Sequence, residues 1–203
     1  MSNYVINLCN HIYGVDIVVV YHGTILSHAM DISNNGINLN KGNRYLDFGK
    51  GFYVTPDYEL AKNMAIRVSE FEQRKKNVKN VFPTVISFEY KENTDLNYKI
   101  FDNEDIEWAK FIMANRVLPE IANKLGLHDN NYDLKYDIII GGTADGSVAG
   151  IASDLRFGRI NLEEYELKLS DFLKSDGSSY GTQIVFCTED ALSCIEYIKC
   201  DII

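Results

Sequence analysis

Three short segments set reactive or ligand-holding side chains beside accessible backbone. The first is Tyr21-His22-Gly23-Thr24, at the end of an apolar, β-branched run. A histidine at the mouth of a buried strand, followed by glycine, puts an imidazole next to a backbone amide. Together these can hold a carboxamide and a ribose hydroxyl. The second is Asp47-Phe48-Gly49-Lys50-Gly51-Phe52-Tyr53-Val54-Thr55. Its paired glycines let the backbone approach a flat ligand, and Tyr53 can lie against an aromatic ring. The third is Gly181-Thr182-Gln183-Ile184-Val185-Phe186, where Gln183 can bond a ligand hydroxyl from a strand edge. Each also has a plain packing explanation: a satisfied core histidine, a turn feeding aromatics into the core, a strand-end glutamine at the surface.

Further residues admit the same two explanations, a ligand contact or a packing role. Arg44 precedes Asp47 and suits a pyrophosphate, or is a solvated loop cation. Asn115-Arg116 lies on a helix that otherwise faces the core, so Arg116 is either a structural ion-pair partner or part of a site. Gly141-Gly142-Thr143-Ala144-Asp145-Gly146 follows a strand but has neither the Walker Gly-Lys-Ser/Thr nor the G-x-G-x-x-G spacing. His11, His28 and His128 have no metal-ligand spacing, and no metal is expected. Cys9, Cys187, Cys194 and Cys200 match neither zinc knuckles nor a dense disulfide framework, and read as reduced thiols of a cytoplasmic protein.

The elements that must position these residues follow from hydrophobic periodicity. Residues 17–21 (IVVVY) predict a buried strand that ends at His22 and Gly23. Thr24 is expected to cap a helix over 25–33. Residues 38–50 predict a loop and 51–54 a short strand. Thr55-Pro56-Asp57 starts a helix with Thr55 as its cap and Leu60, Ala61, Met64, Ala65, Val68 and Phe71 as its apolar face. The cationic run at 73–79 frays the end of that helix. Residues 84–90 predict a strand, and 103–118 a helix with an Ile106, Ala109, Ile112, Met113 stripe, broken at Pro119. Residues 136–140 and 183–187 predict strands. A helix over 161–172 opens with Asn161 and Glu164 in capping-box spacing. Thr188 starts a last helix carrying Leu192, Ile195 and Ile198. Strands scattered among helices without strict alternation predict an α+β fold, in one domain over 1–203.

In this order, the three segments resemble the ADP-ribosyltransferases of the diphtheria-toxin and poly(ADP-ribose) polymerase type. Those have His-Gly at the end of the first strand, a G-K-G-[aromatic/aliphatic]-Tyr segment leading into a helix, and a third residue, usually Glu, on a late strand. YHGT, FGKGFY and TQIVF stand in those places. The chain is more closely similar to a bacterial branch, a domain family originally of unknown function. That likeness rests on DFGKGFYVT, W-x-x-F-I-x-x-N-R (Trp108 to Arg116), YDIIIGGTAD and Q-x-x-F-x-T-E-x-A-L (Gln183 to Leu192).

The resemblance implies a split-sheet core with flanking helices and an NAD⁺ cleft. It implies catalytic roles for His22, Tyr53 and Gln183, with Tyr21, His22, Gly23, Thr24, Arg44, Asp47, Gly51, Phe52, Tyr53 and Arg116 binding NAD⁺ as substrate. His22 would touch the adenosine ribose and the carboxamide, Gly23 would hold the carboxamide, and Tyr53 would stack on the nicotinamide. Two departures stand out. Gln183 replaces the usual Glu, which points to mono-transfer or to an acceptor activated by another carboxylate (Asp47, Asp145 or Glu189). Met64 falls where the polymerases place a second ring-stacking tyrosine. The implied activity is mono-ADP-ribosyl transfer to a protein or nucleic acid with release of nicotinamide, in a toxin or phage-defence effector with an antitoxin or regulatory partner. The alternatives are an inactive NAD⁺ or ADP-ribose binding module, or an interaction protein.

Composition narrows the classes. The chain has 203 residues, 46% hydrophobic and 24% charged, as expected of a globular protein with a sizeable core. Lys+Arg 20 against Asp+Glu 29 gives a net charge of −9. That argues against sequence-independent binding to a nucleic-acid backbone, which needs clustered cations. No apolar run approaches the about 18 residues of a membrane span, and the N-terminus has no secretory pattern, so no membrane partner is expected.

Overall fold

Three consecutive valines open β1 (Val18–Ile25), and β-branched side chains suit a pleated, buried surface. In this computed structural model the described residues are 18–43, 45–77, 79–144, 147–174 and 181–203, without the side chains of 147, 173 and 174. Arg44 and Asp145, both singled out in the sequence, fall outside them, as do Cys9 and His11.

The described residues form two sheets and seven α-helices. The first sheet has the order β1-β3-β7, with β3 at Pro83–Tyr90 and β7 at Ile195–Ile202, all antiparallel. The second has the order β2-β6-β5-β4, formed by β2 (Phe52–Val54), β6 (Thr182–Phe186), β5 (Ile138–Gly142) and β4 (Tyr98–Ile100); only β4 and β5 run parallel. The helices are α1 (Leu26–Asn35), α2 (Tyr58–Lys76), α3 (Ile106–Arg116), α4 (Pro119–Lys124), α5 (Ser147–Arg156), α6 (Leu162–Lys174) and α7 (Glu189–Leu192), with a 3₁₀ turn at Leu39–Lys41. The fold is α+β.

Strand alternation sorts the core into layers. Val20, Ile86 and Phe88 of the first sheet meet Phe52, Val54, Ile138, Ile140, Ile184 and Phe186 of the second. The odd partners Ile139 and Val185 face α3, α5 and α6, with Trp108, Phe111, Ile112, Ala152 and Leu169. Val85 faces α2 through Ala61 and Ala65. The chain is therefore layered as α2, first sheet, second sheet, then the α3/α5/α6 group. Tyr53 and Gln183 share parity with Val185, so both leave the second sheet on its helix side.

Several expected elements are corrected. β1 does not end at His22 but continues to Ile25, so Thr24 is a buried strand residue and caps nothing; α1 has no side-chain cap. Asp57, not Thr55, caps α2, accepting from the Glu59 and Leu60 amides. The buried face of α2 is Ala61, Ala65 and Ser69, whereas Met64 and Phe71 are exposed. The small residues let α2 lie against β1. The cationic run ends α2, which extends to Lys76 and is closed by Asn77 in the left-handed region; Val78 lies outside the described residues. Gly141 and Gly142 belong to β5, not to a loop after it. Ile106 is exposed, and α3 is buried almost all round. Pro119 opens α4 as its first residue. β4 and α5 were not expected. Ile195 and Ile198 lie on β7 rather than on a terminal helix, because α7 stops at Leu192. The capping box holds: Asn161 and Glu164 bond each other's backbone amides at 2.9 Å.

Candidate functional site

A cleft of about 920 Å³ is bounded by β1, the segment 51–55, α1 and the 3₁₀ turn, one face of α2, and the ends of α3, β5 and β6. Its size is at the upper end of the roughly 300–1,000 Å³ of small-molecule sites. Tyr21, His22, Gly23, Thr24, Asp47, Gly51, Phe52, Tyr53, Arg116 and Gln183 all line it. The fold thus brings together every described residue expected to bind NAD⁺ or catalyse, whereas Glu189, a candidate carboxylate for activating an acceptor, lies on α7 and does not line the cleft.

The backbones of β1 and of the segment following β2 meet in one bridge. Tyr21 and Thr55 exchange backbone hydrogen bonds of 2.8 and 2.9 Å. In an extended strand alternate residues turn N–H and C=O to the same edge. Gly23 therefore directs its N–H and C=O to the edge Tyr21 uses, beyond that bridge and at the cleft. Its lack of a side chain has another cause. A Cβ there would stand 1.9 Å from the Ala61 carbonyl oxygen and 2.8 Å from the Ala65 nitrogen. The Tyr21 ring packs edge-on against Tyr58 of α2, with centroids 5.3 Å apart.

His22 leaves β1 on the opposite face. Its Nδ1 donates to the Tyr53 carbonyl oxygen at 2.7 Å, since a carbonyl can only accept. That fixes the tautomer and leaves Nε2 as an acceptor. The ring lies on Phe52 at 4.5 Å. Burial holds the imidazole pKa below its usual value; the Tyr53 bond opposes that shift and His28 adds to it. His22 is therefore neutral at pH 7.

The 47–53 segment folds back on itself. The Tyr53 hydroxyl donates to the Gly49 carbonyl at 2.7 Å and accepts from the Phe48 amide at 3.1 Å. Burial, then the nearby Asp47 charge, pushes this phenol well above its usual pKa, so it stays protonated. Both glycines serve packing: Gly49 has φ +81° and a Cβ there would meet Asn115 Oδ1 at 2.9 Å, while one on Gly51 would meet Val185 at 2.5 Å. Phe48 is fully buried.

Behind Tyr53 sits a polar network. Arg116 Nε donates to Asp47 Oδ1 at 2.6 Å. The Ala144 amide and Gln183 Nε2 donate to Asp47 Oδ2 at 3.1 and 3.0 Å. Gln183 Nε2 also donates to the Gly142 carbonyl at 3.1 Å, which Trp108 Nε1 reaches at 3.1 Å. Arg116 is thus both an ion-pair partner and a cleft residue, with 25% of its side chain exposed. Gln183 is buried, not a surface strand end.

Sequence reasoning missed His28, Asn63, Arg67 and Thr143 as cleft residues. Asn63 and Arg67 were legible as an i, i+4 pair on the polar face of α2. Met64, noted where the polymerases have a tyrosine, does line the cleft. Lys41, Arg67 and Arg116 supply cations to its wall. Burial pushes the Cys187 thiol up to about 12, so it is no nucleophile. No group of three or more metal-ligating side chains is found among the described residues, and no helix there is long and apolar enough to cross a membrane.

No curated protein and no solved structure matches the chain. A family model described as a protein of unknown function (DUF3990) matches residues 18–197, a span that includes every residue lining the cleft, and the chain belongs to that family.

Proposed function

We propose that the chain is an NAD⁺-dependent mono-ADP-ribosyltransferase with an ADP-ribosyltransferase-like split-sheet fold. The observation that carries this reading is the convergence, in one cleft, of the neutral His22 imidazole, the Gly23 backbone edge, the Tyr53 ring and the Gln183 amide. A carboxamide pairs with one N–H and one C=O on the same strand edge, which is what Gly23 offers. Nε2 of His22 accepts from a ribose hydroxyl. The Tyr53 ring, with its hydroxyl held by Gly49 and Phe48, offers a fixed flat wall for a nicotinamide. Arg67 and Arg116 suit a pyrophosphate, with Arg116 already paired to Asp47 and Lys41 paired to Asp31 on the same wall.

The bond that breaks joins ribose C1′ to the pyridinium nitrogen, whose electron pair leaves with neutral nicotinamide. An acceptor nucleophile then bonds to C1′ and gives up its proton. Most of the help the protein supplies is positioning and stabilisation of the oxocarbenium-like cation. Gln183 in place of a carboxylic acid supports transfer of one ADP-ribose over polymer growth. The acceptor is a protein or nucleic acid, and a role as a toxin or phage-defence effector with a regulatory partner fits a small transferase of this kind.

A binding-only module is the competing reading, and one observation favours it: three donors already occupy the Asp47 carboxylate. Chromatographic detection of nicotinamide from NAD⁺, with and without bacterial lysate, separates the two. The transferase releases nicotinamide and Tyr53→Ala does not; a binding module retains NAD⁺ unchanged.

A further inference from the structure

The geometry points to Asp47 as a positioning residue: its carboxylate fixes the Gln183 amide so that Oε1 accepts a ribose hydroxyl of NAD⁺, in place of an acid on that strand. This rests on the transferase reading above.

An amide alone can present either its oxygen or its nitrogen to a ligand. Here both partners of Gln183 Nε2, Asp47 Oδ2 and the Gly142 carbonyl, are oxygen acceptors. Turning the amide over would bring three oxygens together without a proton among them. The NH₂ group is therefore committed to the wall, and Oε1 is the end of the side chain left for the cleft that Gln183 lines. Asp47 cannot follow a turning amide, because Arg116 Nε and the Ala144 amide hold it. Asp47 is 4% exposed and Gln183 7%, so water does not replace a lost partner cheaply.

The bond also changes the amide's strength as an acceptor. A hydrogen bond to an ionised oxygen is stronger than a neutral one, and chains of hydrogen bonds polarise one another. Donation from Nε2 to a carboxylate shifts electron density toward Oε1, which strengthens that atom as an acceptor. Arg116 balances the Asp47 charge, so the pair polarises the amide without adding net charge. A neutral glutamine backed by an aspartate thereby performs the hydrogen-bonding part of an acid's role.

The test uses the full chain with NAD⁺ as probe, reading nicotinamide release and, by calorimetry, NAD⁺ affinity. Asp47→Asn is expected to lower kcat by at least about tenfold, the worth of one charged hydrogen bond, with NAD⁺ Kd within about threefold. Gln183→Glu is expected to be impaired to the same degree at about pH 8, where its carboxylate faces Asp47 and the Gly142 carbonyl. Its activity relative to wild type should recover as pH falls to about 5.5, because a protonated glutamic acid donates to Asp47 as the amide does. Among the described residues, Arg116 pairs with Asp47 and the Tyr53 phenol lies near it, and burial keeps that phenol protonated.

A purely structural Asp47 would move thermal stability and NAD⁺ affinity together and give position 183 no such profile. The relay is overturned if Gln183→Glu equals or exceeds wild type at about pH 8, or if Asp47→Asn leaves kcat unchanged. If Asp47→Asn does not fold, the Gln183→Glu profile decides alone. If the wild type releases no nicotinamide in buffer or lysate, the transferase reading itself fails and the relay with it.

Discussion

His22 donates Nδ1–H to the Tyr53 carbonyl oxygen at 2.7 Å, joining the two sheets at the wall of the cleft. Tyr53 and His22 are therefore one unit: the strand that carries the aromatic wall also sets the tautomer of the imidazole. Burial lowers the His22 pKa below 6.5, whereas an unfolded chain takes up the proton near 6.5. The native state thus binds fewer protons in that window. The stability contributed is complete above about pH 6.5 and is lost as pH falls through the lower folded value. Melting temperatures measured between about pH 7.5 and 5 should fall more for wild type than for His22→Gln. Nicotinamide release should decline over the same acid limb, since imidazolium has no acceptor at Nε2.

Tyr53→Phe keeps the ring and removes the bridge between the Gly49 carbonyl and the Phe48 amide. Two backbone groups lose their partner, at a cost of about 1–2 kcal/mol. For a chain of this size that lowers the melting temperature by roughly 3–6 °C. The cleft wall remains, so NAD⁺ affinity should change far less than in Tyr53→Ala, which removes the ring as well. Calorimetric titration of both variants checks this ordering.

Gly23→Ala should destabilise the fold by at least about 2 kcal/mol, since the added Cβ meets helix backbone and no flexible side chain can give way. The contact lies between β1 and α2. Chemical denaturation should show the loss, and a second substitution at Ala61 should not relieve it, because the clash is with the Ala61 carbonyl.

Arg116→Ala removes one side of a pair whose partner, Asp47, has a buried side chain. A carboxylate left with amide donors alone costs about 2–4 kcal/mol, discounted because Arg116 itself is partly exposed. Arg116→Lys should recover little, as the planar Nε–H donor is absent. Denaturation midpoints of the two variants test this.

The elements were legible where one face was unambiguous. The three valines of β1, the Asn161–Glu164 box and the strand expected over 183–187, which runs over Thr182–Phe186, follow from type and spacing alone. The misplacements have physical causes. α2 buries alanines and Ser69 because β1 passes so close at Gly23, and an apolar-stripe reading favours Met64 and Phe71 over small residues. Ile195 and Ile198 fit helical spacing from Leu192, but pairing with β3 makes the segment a strand. The site was legible as residues and illegible as a network. Nothing in the spacing shows that Asp47 meets Gln183 and Arg116, because those contacts span most of the chain. Trp108 likewise stood in a motif with no role until its indole met the Gly142 carbonyl.

Transfer of ADP-ribose from labelled NAD⁺ separates a transferase from a binding module in one measurement. Purified protein is incubated with NAD⁺ labelled in its adenylate phosphate and a bacterial lysate, and the products are divided by protease and nuclease sensitivity. Label is expected on protease- or nuclease-sensitive material with wild type and none with Tyr53→Ala. NAD⁺ bound by both proteins, with no label transferred and no nicotinamide released, would contradict the transferase reading.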